Sequence, residues 1–344
     1  MNLKTSYLGL SLPHPIVAGA SPLSATVDGI RRLEDGGAAA IVAASVYEEE
    51  VRAEDAAFEA NSLIGADSNP EVTTYLPPLP GYHGALAAHV EMIRRAAESI
   101  SVPLIASLNG VTHEGWTGIA ADLEEAGAAA LELSLFHIPT DLRETSAAAE
   151  ARLIDTVRGV CTAVKIPVAI KLSPNFTAPA YLAAALADAG AKGIVLFNRW
   201  YEPDIDLETL TFHPTLRLSS AEEIRLPLMW VALLAGKTSL SLAGGRGAEG
   251  PDEVVKYLLA GADVVSTASS LMRYGPQHLG RMLDGLVNWL AAHHASSVGE
   301  IRGRLSAERL AHPEALLRAQ YVRTLLRDFP VLLQRDADRG YEPR

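Results

Sequence analysis

One pattern recurs four times along the chain: the end of an amphipathic helix, a glycine, then a short apolar run. It reads "EDGGAAAIVAAS", "EEAGAAALELSL", "ADAGAKGIVLFN" and "LLAGADVVSTAS", with Gly37, Gly127, Gly190 and Gly261 at the junctions. Glycine suits a helix end because it takes up the left-handed backbone without steric cost. The apolar runs lack the alternation of a half-exposed strand, so they belong to a sheet covered on both faces, as a parallel sheet is. Two further segments, "ISVPLIASLNG" and "VKIPVAIKLSPN", reach such a run through proline, which a first strand residue tolerates. "HPIVAGAS" near the start and "KTSLSLAGG" near Leu240 bring the strands to eight, beginning near residues 15, 39, 102, 129, 166, 193, 238 and 263.

Helical periodicity fills most of the gaps, over 27–34, 85–100, 118–126, 147–164, 179–189, 227–235, 251–260 and 277–294. Strand and helix alternating eight times predict an α/β fold, the (β/α)8 TIM barrel. An open doubly wound sheet is the alternative, but no G-x-G-x-x-G follows the first strand. Inserted loops interrupt the pattern after strands 2 and 6, at 48–84 and 199–226; loops this long in a compact fold serve as lids or interfaces. Two helical stretches follow residue 297, so the expected organisation is a barrel over 1–296 and a C-terminal helical tail over 297–344.

Composition narrows the function. A net charge of −12 argues against nonspecific binding to nucleic acid or an anionic membrane. The single cysteine, Cys161, excludes an intrachain disulfide and a cysteine-built metal or iron–sulfur site, and fits a reducing cytoplasm. The N-terminal "MNLKTSYLGLSLPHP" lacks a basic region followed by an apolar run, and no apolar run reaches ~18 residues. A cytoplasmic protein with no metal and no membrane contact is expected.

In such barrels the active site lies at the C-terminal ends of the strands. Those ends carry Ala18, Gly19, Ala20 and Ser21; Ser45; Asn109; Glu132 and Ser134; Lys171; Asn198; Gly244 and Gly245; and Ala268 and Ser269. The last two small-residue turns, at neighbouring strands, offer backbone N–H groups for a phosphate. Singly, each residue has a plain reading. Turn glycines are common, Asn109 and Asn198 can cap loops, and Glu132 can pair with a nearby cation. Lys171 can reach solvent, or serve as the Schiff-base lysine of an aldolase. Eight strand ends aimed at one mouth favour a ligand site.

Five stretches, "YLGLSLPHPIVAGASP", "IKLSPN", "VLFNRWYEPDIDLET", "LAGGRGAEGPDEVVKYLLAGADVV" and "SSLMRYGP", resemble the FMN-dependent dihydroorotate dehydrogenase family, especially its dihydroorotate dehydrogenase-like subgroup, over roughly residues 3–285. The resemblance implies FMN at the barrel mouth, reduced by one substrate and reoxidised by a second. It implies that Lys171 contacts the isoalloxazine near N1 and O2. Ala18, Gly19, Ala20 and Ser21 would lie against the ring, with Ser45, Asn109 and Glu132 also near the cofactor. Gly244, Gly245, Ala268 and Ser269 would hold the phosphate, and Asn198 the substrate.

The chain also departs from the family. The family's general base, a cysteine or serine, falls at Leu135. A flavin-touching asparagine becomes Glu132, and a substrate asparagine becomes His137. A second flavin lysine is missing between Gly37 and Glu48, and the family's "N-S-M-G-L-P-N" reads "TYLPPLPG". The catalytic candidates are therefore Lys171, Glu132, His137 and Ser134. Oxidising dihydroorotate needs a base at C5 while hydride leaves C6, so the resemblance supports FMN more firmly than the substrate. The readings kept are a soluble dihydroorotate dehydrogenase of pyrimidine biosynthesis, a related enzyme for another reduced substrate, a flavin-binding subunit with an electron-transfer partner, and an aldolase. The family's quinone-reducing members carry an extra N-terminal helical segment, whereas "SYLGLSLPHP" begins almost at once here. A homodimer is expected.

Overall fold

The computed structural model describes residues 1–51, 53, 84–110, 116–135, 138–199, 203–213, 216–317, 321, 322 and 324–326. Eight parallel strands close into a barrel: β1 Ile16–Ala18, β2 Ile41–Val42, β3 Leu104–Gly110, β4 Ala130–Leu135, β5 Val168–Leu172, β6 Gly193–Leu196, β7 Ser241–Gly244 and β8 Val264–Thr267. Closure runs through β2, which pairs with both β1 and β3, and through β8, which pairs with β1. Each strand begins within three residues of its expected start.

Among the described residues, eight helices of the repeating plan pack outside: α1 Val27–Asp35, α2 Ala85–Ser99, α3 Trp116–Glu125, α4 Ser146–Ala163, α5 Pro179–Asp188, α6 Arg225–Leu234, α7 Pro251–Ala260 and, after a short helix α8 Ser269–Tyr274, α9 His278–Ala292. Burial on both strand faces explains the non-alternating runs. Outward residues such as Leu131, Leu133, Ile170 and Ile194 pack against Leu33, Leu123, Val157, Leu186 and Leu258 of the helices. Inward residues form a second, narrower core of Val17, Val42, Ile105, Ala130, Ala169, Val195, Ala243 and Val264. Each fully buried Leu or Ile contributes ~1.5–3 kcal/mol of transfer free energy. The four repeat glycines have φ of +95°, +96°, +107° and +121°. At Gly261 a Cβ would also come within 2.3 Å of Ala235 Cβ, so only glycine closes α7 there.

Three elements add to the expected plan. A hairpin of Thr5–Tyr7 and Leu10–Leu12 precedes the barrel and sends Tyr7, Leu8 and Leu12 into its lower end. A second hairpin, Asp204–Asp206 with Thr211–His213, lies in the insert after β6. After Ser297, which bridges to Asn2, helix α10 Val298–Ile301 buries Val298 and Ile301, and the Gly303 N–H donates to Leu258 O at 2.9 Å. Most of the insert after β2 lies outside the described residues. Among the described residues no helix is long and apolar enough to cross a membrane.

Candidate functional site

A cavity of about 520 Å³ opens at the C-terminal ends of the strands. That volume is in the usual range for a cofactor or small-molecule site. Ala20, Ser21, Ser45, Asn109, Ser134, Lys171, Asn198, Gly245, Ala268 and Ser269 line it, so ten expected site residues from all eight strand ends meet there. Strand register produces the convergence. Asn109 pairs with Ser134 and Ser134 with Lys171, which sets three polar side chains at one level on the inward face. Asn198 Nδ2 donates to Ser134 Oγ at 2.8 Å, and the hydroxyls of Ser45 and Ser107 are 2.8 Å apart.

Lys171 has a partner. Its Nζ lies 3.1 Å from Glu132 Oε1, with side-chain exposures of 17% and 4%. Glu132 sits two residues before Ser134 on the same inward face, one layer beneath the cavity, and does not line it. Together the two side chains are neutral, which removes most of the repulsion that a lone glutamate would exert on an anionic ligand. The carboxylate is felt deeper in the barrel too: burial first, and then the charge of Glu132, push the Tyr7 phenol well above its ordinary value.

The small residues divide by direction. A Cβ on Gly245 would come 2.7 Å from Val195 Cγ1, and one on Gly19 2.7 Å from Ser266 Oγ, so both keep the inner ring open. Gly244 faces outward, where a Cβ would meet the Tyr257 ring at 2.4 Å. Ala18 belongs to the outer core and donates its N–H to Ala40 O. Thr267 Oγ1 donates to Ala248 O at 2.8 Å and lies 2.6 Å from Ser270 Oγ, which ties the turns after β7 and β8 together. Ser21 Oγ is buried in the cavity wall without a hydrogen-bond partner among the described residues. A flavin fits these features: an inward cation, an unpartnered hydroxyl and two glycines that keep the wall clear.

Two arginines also belong to the site: Arg199, which stands beside Asn198 at a strand end in the sequence, and Arg246, which the sequence reading does not single out. Arg199 and Arg246 line the cavity above β6 and β7 and converge on Glu223, which comes from the 3-10 turn Ala221–Ile224. Arg246 Nη2 is 2.6 Å and Arg199 Nε 3.5 Å from Glu223 Oε2. Their strand-end positions were the available signal. Leu135, at the end of β4, lines a neighbouring cavity of about 320 Å³ with Gly110, Ile138, Leu153, Ser173 and Phe176. His137 and the "TYLPPLPG" stretch lie outside the described residues. Cys161 sits at the opposite end of the barrel beside Gly190, and burial pushes its thiol up to about 11. Among the described residues no group of three or more His, Cys, Asp or Glu could hold a metal.

No protein-family model matches the chain. It is 26% identical over 309 residues to the dihydroorotate dehydrogenase B (NAD(+)) catalytic subunit of Methanothermobacter thermautotrophicus, covering 88% of this chain and 97% of that protein. The protein of the same name from Bacillus pumilus is 28% identical over 245 residues, covering 69% and 76%. That from Methanocaldococcus jannaschii is 23% identical over 306 residues, covering 84% and 93%. Similarity of this extent, on a closed parallel barrel, is distant homology to the dihydroorotate dehydrogenases and supports a place in that family.

Proposed function

We propose that the chain is a cytoplasmic FMN-dependent oxidoreductase that oxidises a small reduced substrate, with dihydroorotate to orotate as the reference reaction. The observation that carries this reading is Lys171, a buried-strand lysine in the wall of the barrel-mouth cavity, at the level of Asn109 and Ser134. When bound, FMN would accept the hydride. The chain's residues would do the rest. Lys171 supplies positive charge where negative charge gathers in the reaction. Ser21 offers a free hydroxyl, Ala20, Ser45 and Asn109 line the ring's side of the cavity, and Gly245 with Ala268 and Ser269 leave room for the phosphate. Asn198, held by Ser134, orients a polar substrate, and that bond leaves the Ser134 hydroxyl able to exchange a proton.

Leu135 carries no lone pair and lines the neighbouring cavity, so Ser134 is the β4 hydroxyl facing the mouth. That favours a second reading within the same fold: a reduced substrate other than dihydroorotate. The relatives' name, catalytic subunit, supports a separate partner protein that carries the electrons onward. A homodimer is part of the proposal. Anaerobic mixing with dihydroorotate and with other reduced heterocycles and carbonyl compounds tests it: one of them should bleach the flavin, and retention of the oxidised spectrum with all of them would overturn the enzyme reading in favour of a flavin-carrying subunit.

A further inference from the structure

Glu132 is a buried carboxylate that does not line the cavity. Its cross-strand neighbours are small and neutral: Ser107 on β3 and Ala169 on β5. Its hydrogen-bond partner among the described residues is the Lys171 ammonium at 3.1 Å. A neutral amide at this position would hold the lysine by the same hydrogen bond without adding charge. The carboxylate therefore does something an amide would not: it cancels most of the lysine's charge from directly below the cavity. Tyr7, the other titratable group facing it from the barrel's lower end, contributes none.

We infer that Glu132 is a positioning residue that aims Lys171 into the cavity and attenuates its charge, holding the bound flavin's reduction potential below the value lysine alone would set. The inference rests on the FMN reading above. Reduction adds negative charge at the cavity, and a +1 group stabilises that charge more than a neutral pair does. The wild-type pair therefore keeps the reduced flavin a readier donor to the next acceptor, which suits a chain that passes electrons on rather than storing them.

The test is potentiometry on the FMN-loaded proteins at one pH. Glu132→Gln, nearly isosteric, should favour reduced over oxidised flavin by about tenfold relative to wild type, an upward shift of about 30 mV for a two-electron couple. Lys171→Met should move the potential in the opposite direction. The double variant Glu132→Gln/Lys171→Met, which loses both charges, should lie nearer wild type than Lys171→Met does, and it supplies the comparison if one single variant folds poorly. A role for Glu132 confined to packing would change stability and leave the potential where it is. FMN loading with unchanged potentials in Glu132→Gln, or a double variant no nearer wild type than Lys171→Met, would overturn the inference while leaving the cofactor reading intact. Failure of the wild-type chain to take up FMN would overturn both.

Discussion

Removing Lys171 should cost the apoprotein more than removing its partner, although the two make the same contact. At 3.1 Å and an effective dielectric of about 20, the Coulomb attraction is about 5 kcal/mol. Desolvation offsets much of that, and breaking a buried pair costs roughly 3–5 kcal/mol because a lone charge is left behind. The exposures decide which single variant suffers more. Glu132, at 4%, has no route to water once Lys171→Met removes its partner, so this variant should lose about 3–4 kcal/mol. Lys171, at 17%, borders the cavity and can be hydrated, so Glu132→Gln should lose only about 1–2 kcal/mol. The double variant orphans no charge, and its loss should fall short of the sum by about 2 kcal/mol. Urea unfolding of the four apoproteins at neutral pH provides the cycle. Additivity within about 0.5 kcal/mol, or equal losses in the single variants, would refute the argument that a desolvated pair sits beneath the cavity.

Further outcomes follow from the same geometry. Gly245→Val should close the cavity wall against Val195 and weaken FMN binding by at least tenfold, whereas Gly244→Ala, which presses on the Tyr257 ring, should instead cost about 1–3 kcal/mol of stability; isothermal titration and urea unfolding separate the two. We propose that the position of the family's base falls at Leu135; dihydroorotate should then reduce the flavin roughly 10²–10⁴-fold more slowly than an ordinary turnover, and Leu135→Ser, on the wall of the neighbouring cavity, should recover at most part of the rate in stopped-flow measurements. Cys161, its thiol raised to about 11 by burial, should be labelled by a disulfide reagent at pH 8 roughly 200-fold more slowly than a free thiol, with the rate climbing as pH rises toward that value.

The barrel was legible because its punctuation is local. Gly37, Gly127, Gly190 and Gly261 mark helix ends by their left-handed backbone, and Pro103 and Pro167 precede strands, so each unit announces itself within about a dozen residues. The N-terminal hairpin was not legible. Its turn places Leu8 at φ +55°, a backbone leucine rarely adopts, because the side chain is buried beneath the barrel; tertiary burial overrides the local preference there. At the site, residue types at strand ends foretold the cavity wall, from Ser21 to Ser269. They did not foretell depth. Glu132 and Ser134 were read as one strand end, yet β4 runs on to Leu135, which drops Glu132 a full layer beneath the mouth and delivers it to a lysine 39 residues away. The Arg199, Glu223 and Arg246 cluster was hidden for the same reason: three segments far apart in sequence meet only after the ring closes.

We propose that the cavity ringed by Ser21, Lys171, Gly245 and Ser269 holds FMN. Purified protein, incubated with excess FMN, freed of unbound flavin and then denatured, should release one FMN per chain, identified by chromatography against flavin standards. A chain that releases no flavin after that treatment would overturn FMN as the ligand of this cavity.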